Sequence, residues 1–323
     1  MWSFSILRSL RLVLATWPFV GLRILVLGGL SLAFVAAVAS GAGAGWVVGH
    51  VGTADFRAGA TAWGGILGGV GAVVWVWSLR EYLLYMITAG HVAAMVMVLD
   101  GRSLPSGRAQ IAFAVETVKA RFGEVHLLFV LDQLVKGSVR AVTGLVGGVG
   151  LLSFLPGLQP LIRLLGAILR MSTTFIDEVV LAREIRIASE DPWTTARQGI
   201  VLYAQNAKTI LWNAVWLTLF RWVMAVILFV VLLAPVGIVA LIVPGPTTAW
   251  SLIFTFLFAV AAQRAVIDPF LIASTMQVYF AATEGQRPDP DWDAKLAAVS
   301  DPFRDLVARA RSAFTGGSRA PSA

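Results

Sequence analysis

An all-α bundle that crosses a membrane several times is the fold this sequence predicts, on three observations. Charged residues make up only 13% of the chain and hydrophobic ones 58%, whereas a soluble globular domain carries about 25% charged residues. Several apolar runs reach the roughly 20 residues that cross a bilayer as a helix. Lys and Arg, 25 in all, lie mainly outside those runs, as the positive-inside rule expects. The net charge of +7 then reads as attraction to anionic lipid headgroups. A nucleic-acid reading is set aside, because no basic helix with interleaved readout residues stands out.

Residues 1–16 carry Arg8 and Arg11 among Phe4, Ile6, Leu7, Leu10, Leu12 and Leu14, a basic amphipathic lead-in expected to lie along the cytoplasmic surface. The membrane domain follows over 17–283, its first span at about Trp17 to Ala39. Ala37-Val38-Ala39 imitates a signal-peptide cleavage site, but the run is long for such a peptide and more spans follow. Ser40 to Gly59, rich in glycine, is expected to be a flexible outside loop. Ala60 to Leu79 holds Gly64, Gly65, Gly68 and Gly69, two small-xxx-small pairs that let helix backbones approach closely. They form either an intrachain contact or a homo-oligomer face. Arg80-Glu81 then allows two topologies. A cytoplasmic turn there gives about six spans; one long helix from Ala60 to Leu99, about 60 Å at 1.5 Å per residue, gives four spans plus re-entrant pieces. Span length favours the turn.

Past Pro105, Ser103 to Glu124 reads as an amphipathic helix. Val139 to Leu169 is apolar but broken by Gly144, Gly147, Gly148, Gly150, Pro156 and Pro160, either a kinked span or a discontinuous helix of the kind that forms transporter sites. Met171 to Glu190 carries dense charge and reads as a solvated helix with i,i+4 pairs. Asp191-Pro192 marks a break, with Asp191 placed to cap the next helix. From Asn206 to Gln277 the pattern is a transmembrane hairpin: an apolar arm to Leu233, a proline turn through Pro235, Pro244 and Pro246, and a second arm from Thr248. Residues 284–323 read as a cytoplasmic tail with a short helix broken near Pro302. Basic residues at both ends place both termini in the cytoplasm, and the protein as a multi-pass component of the inner (cytoplasmic) membrane.

Polar groups inside these spans cost roughly 2.5 kcal/mol or more near the bilayer centre, so they face partners or water. Asn206 and Asn213 are seven apart, on one helical face that continues to Trp216, with Arg221 further along. Asp268 and Tyr279 lie on the last arm. These six residues (Asn206, Asn213, Trp216, Arg221, Asp268 and Tyr279) are the candidate lining of a solute cavity, in which aromatic faces beside a carboxylate suit a cation. Two blander readings stand beside this one: Arg264 could pair locally with Asp268, and the Trp residues could form an interfacial belt. Cysteine is absent and the three histidines are not at metal-ligand spacing, so no metal or cofactor is expected. General acid–base catalysis needs a positioned pair and only Asp177/Glu178 offers one; no enzymatic activity is expected.

Thr195-Ala196-Arg197 followed by Asn206 resembles a segment of the choline-transporter-like family, in which a Ser-Ala-Arg-x-Ala run precedes a short helix and Arg-Asn. Ala109-Gln110-Ile111-Ala112-Phe113 is similar to that family's Gly-Ser-Ile-Ala-Phe-Gly stretch, and Val266 to Phe280 falls where its last span carries an acid. The three pieces occur in the same order and cover about half the chain; the family's large cysteine-bearing extracellular loop has no counterpart here. The resemblance implies a transporter-like membrane core and a choline-like amine as solute. The functional expectation is therefore a permease-like transporter for a small solute, with a non-catalytic membrane scaffold or partner subunit as the alternative.

Overall fold

A computed structural model describes residues 3–122, 125–146, 175–187, 191–242 and 248–317. All regular secondary structure among them is helical. In chain order the helices are α1 (Ile6–Ala15), α2 (Trp17–Gly49), α3 (Ala54–Leu99), α4 (Arg108–Phe122), α5 (Val125–Val146), α6 (Ile176–Ile187), α7 (Pro192–Gln205), α8 (Ala207–Ile242), α9 (Thr248–Ala262), α10 (Asp268–Thr283), α11 (Pro290–Val299) and α12 (Asp301–Gly317), with a π-helical segment, Gln263–Ile267, before α10. Trp17–Gly49, Ala207–Ile238 and Ser251–Thr283 are long and apolar enough to cross a membrane.

The chain divides into two units. Unit 1 comprises Met1–Pro18, Thr88–Arg221 and Phe270–Ala323; unit 2 comprises Phe19–Ile87 and Trp222–Pro269. In unit 2, α2 and α3 meet backbone to backbone. A Cβ on Gly64 would stand 2.2 Å from the Gly41 oxygen, one on Gly68 2.3 Å from the Ala37 oxygen, and one on Gly45 2.0 Å from the Ala60 oxygen. The glycine pattern of α3 is thus an intrachain seam: Gly64 and Gly68 press on α2, and Gly69 faces Val38 and Phe34 of the same helix. Gly65 is buried as well.

Two expectations fail here for a common reason. The Ser40 to Gly59 stretch is not a loop: α2 runs to Gly49 and α3 starts at Ala54. Gly41 and Gly45 are there because only glycine lets α3 come so close, which outweighs glycine's poor helix propensity of roughly 1 kcal/mol. Nor does the chain turn at Arg80-Glu81, because α3 is continuous from Ala54 to Leu99. Residues 78–86 contain no Gly or Pro and several strong helix formers, so charge alone does not break the helix.

The lipid-facing character of unit 2 is visible in its surface. Val223, Val226, Val230 and Val231 of α8 are each more than half exposed, as are Trp63, Leu67, Val70 and Val74 of α3 and Leu25 and Leu32 of α2. Contiguous apolar surface on this scale is foreign to a water-facing monomer and fits hydrocarbon. Helix α8 continues through Pro235 to Ile242, so the chain does not turn at Pro235; Pro244 and Pro246 lie outside the described residues, as do 147–174 with their Gly and Pro breaks.

Unit 1 is organised differently, with a buried core and polar locks. Asp191 caps α7 by accepting from the Trp193 and Thr194 amides, with Pro192 in the first turn, as its sequence position dictated. Helix α6 packs on α5 and α7 and buries Val179, Val180, Leu181, Ala182 and Ile185. Within the 171–190 stretch expected to be a solvated helix, Ile176–Ile187 is a core helix, because these apolar positions cover most of its circumference. The expected tail is packed as well over its described helices, α11 and α12. Leu296, Phe303 and Leu306 are fully buried, α12 packs on α5 and α7, and Gly137 leaves room for the Pro302 ring. Arg197 of α7 donates to Asp293 of α11 at 2.7 Å through Nε, with a second bond through Nη2.

Candidate functional site

Of the six predicted lining residues, Asn206, Asn213 and Tyr279 spend their polar atoms on separate structural contacts. Asn206 closes α7 and exchanges hydrogen bonds with Gln286, at 2.7 Å from its own Nδ2 and 3.2 Å from the Gln286 Nε2. Asn213 is 1% exposed; its Oδ1 accepts from the Ser3 amide at 2.7 Å and its Nδ2 donates to the Thr209 carbonyl. That pair ties the start of the chain to α8. Tyr279 is fully buried and donates to the Gly199 carbonyl at 3.0 Å. Trp216 is 44% exposed and meets Trp212 edge-on. The Arg221 guanidinium lies 5.5 Å from the centre of the Phe175 ring.

Asp268 belongs to unit 2, unlike the other five, and is buried at the end of the π-helical segment. Its amide donates to the Gln263 carbonyl, the wider loop that defines a π turn. The next residue, Pro269, has no N–H to donate. The π turn also alters the spacing between Arg264 and Asp268 from that of a regular helix.

A polar cavity of about 490 Å³ does exist in unit 1, within the volume range of small-molecule sites. Arg8 of α1, Arg183 and Arg186 of α6, Gln277 and Phe280 of α10 and the turn at Glu284–Gln286 line it. Local sequence explains each placement. On α1, Ser9 and Leu12 are buried while Ile6, Leu7, Leu10 and Leu14 are exposed; at 100° per residue Arg8 borders the buried stripe. Ser9 meets Ser274 at 2.8 Å and accepts from Gln277 at 2.7 Å, which seats α1 on α10. After α10, Gly285 adopts φ +69°, a left-handed conformation that glycine tolerates, and the turn brings Gln286 back to Asn206.

The three arginines are held differently. Arg186 pairs with Asp100 at 2.9 Å and lies 4.7 Å from the Phe280 ring centre. Arg183 runs past Gly199, where a Cβ would stand 3.2 Å from its Cδ; its Nε is buried and makes no hydrogen bond among the described residues. Neither Arg8 nor Arg183 forms an ion pair among those residues. Gln277 and Gln286 already have protein partners, as does the Thr283 hydroxyl, which donates to the Tyr279 carbonyl. The donors left to a ligand are guanidinium groups, with Glu284 exposed at the rim.

A second polar cluster joins α5 to α6. Lys136 donates to Asp132 at 2.6 Å and lies 3.4 Å from Asp177. Burial, reinforced by the Asp177 charge and opposed by Lys136, pushes the Asp132 carboxyl up to about 7. Burial followed by Asp177 raises Glu178 as well. Burial alone would lower Lys136, but the carboxylates of Asp177 and Asp132 more than offset it and hold the ammonium charged. Asp177 thus belongs to a Lys136-centred charge cluster at a helix–helix contact, with Glu178 next to it in sequence.

Of these two clusters, the sequence singled out only the Asp177/Glu178 pair. Arg8 read as a surface charge, and Arg183 and Arg186 as part of the dense charge of Met171 to Glu190. Gln277, which ends the hairpin pattern in the sequence, stands in the cavity wall. No protein-family model, curated protein or solved structure matches this chain.

Proposed function

We propose that this chain is a multi-pass, permease-like protein of the inner membrane, with both termini cytoplasmic, that takes a small solute in the Arg8–Arg183–Arg186 cavity. The observation that carries this is the cavity itself: a polar space of about 490 Å³ with unspent donors, in a protein whose apolar helices are made for lipid. Because those donors are cationic, the solute in this reading is an anion, whereas the sequence pointed to a choline-like cation. Arg8 and Arg11 at one end and Arg304, Arg309 and Arg311 at the other support cytoplasmic termini through the positive-inside rule.

The test is flux in proteoliposomes, comparing labelled small anions with labelled choline. The expected result is uptake of an anion that Arg183→Gln abolishes at unchanged reconstitution. Choline uptake lost on Asp268→Asn would favour a cation carrier instead. Absence of any flux would point to the scaffold alternative.

A further inference from the structure

We infer that the cavity between α1, α6 and α10 is a site for a phosphate group, carried either by a phospholipid headgroup or by a small soluble phosphate ester. The inference rests on reading this cavity as the ligand site and narrows the ligand from an anion to a phosphate. Three features select that chemistry.

The first is donor type. The amides and the threonine hydroxyl of the wall are satisfied within the protein, so a ligand meets guanidinium forks. Such forks match tetrahedral and planar oxyanions and offer no acceptor to a cation. The second is charge. Arg186 is neutralised by Asp100, which leaves Arg8 and Arg183, without an ion pair among the described residues, in a lining whose one carboxylate is Glu284. A phosphoryl group presents several acceptor oxygens at once and can engage both free guanidinium groups. The third is shape. Leu99, Ile187 and Phe280 give the cavity an apolar side, and α1 carries Arg8 on a helix whose outward residues Ile6, Leu7, Leu10 and Leu14 are exposed. A helix of that pattern lies at a bilayer surface, the level at which lipid phosphates sit. Gly199 borders the same arginine: a Cβ there would stand 3.2 Å from the Arg183 Cδ and would press on its stem.

The test uses the full chain. In one arm, protein in a non-ionic detergent is titrated calorimetrically with inorganic phosphate and with glycerol 3-phosphate. In the other, protein released from nanodiscs of phosphatidylglycerol or phosphatidylcholine is weighed by native mass spectrometry to count retained lipid. Arg183→Gln and Arg8→Gln are the variants; Arg8 is exposed, so its loss leaves the fold intact even if Arg183→Gln does not. Arg102→Gln, outside the cavity, is the control. Saturable binding of a soluble phosphate, weakened at least tenfold by either variant and not by the control, supports the site with a free ester as ligand. Retention of one phospholipid, lost in either variant and kept in the control, supports it with a lipid as ligand. Binding in neither arm, or binding that both variants leave unchanged, overturns the inference. Phosphate binding without flux in proteoliposomes would leave the site standing and remove only the transport reading.

Discussion

Placing a methyl group on Gly64 tests the helix seam of unit 2 at its tightest point. The new Cβ would meet the Gly41 carbonyl oxygen at 2.2 Å and the Gly45 Cα at 3.1 Å. Both are backbone atoms that no rotamer change can move, so α2 and α3 must part by roughly 1 Å, a gap that forfeits a quarter to a half of each affected contact. Overpacking of this kind costs about 1–3 kcal/mol, and here it falls on a contact that lipid cannot replace with a hydrophobic driving force. Gly41→Ala makes the reciprocal clash, 2.2 Å from the Gly64 oxygen. The internal controls are Gly43→Ala and Gly71→Ala, where nothing lies within 4 Å and alanine improves helix propensity by up to about 1 kcal/mol. Unfolding in mixed detergent micelles, followed by tryptophan emission, should rank Gly64→Ala and Gly41→Ala below the parent and both controls at or above it. Equal stability of Gly64→Ala and Gly71→Ala would refute the close approach.

Two further outcomes follow from unit 1. The Asp132 carboxyl is raised from 3.8 to about 7, so the folded state holds its proton more tightly than the unfolded one. Its contribution is complete below pH about 4 and is lost as pH rises through about 7; the melting temperature should fall over that window, and Asp132→Asn should flatten the decline. A melting temperature that rises over the window in the parent would contradict the assignment. Asp293→Asn removes the charged acceptor of the Arg197 fork and should speed protease cleavage between 284 and 300 several-fold, while cleavage at the parent's rate would show that burial of Leu296 and Phe303 alone holds α11.

Much of the fold was legible because composition and punctuation are local signals. The apolar runs at 17, 207 and 251 announce themselves by length, and Asp191-Pro192 and the break before Pro302 by capping chemistry. What stayed hidden depends on partners distant in sequence. Nothing near Gly41 or Gly45 shows that α3 will press on them, so a glycine-rich helix end read as a loop. Arg80-Glu81 looked like a turn because charge in an apolar run suggests water, but helix propensity kept α3 whole. Asn206 and Asn213 share a helical face in the sequence pattern, yet a cap at Asn206 ends α7 there and sends the two amides to Gln286 and Ser3. The arginine cavity assembles residues 8, 183 and 186 with the turn after Thr283, a juxtaposition no local pattern reveals.

Lipid around unit 2 and water at the α10 turn are the conditions under which all of this holds, and spin labels can report both. The chain has no cysteine, so single labels at Val226, Val230 and Gln286 need no background substitution. In liposomes, labels at 226 and 230 should relax with oxygen and ignore a water-soluble nickel chelate, and the label at 286 should do the reverse. Nickel access at 226 and 230 equal to that at 286 would contradict the membrane placement.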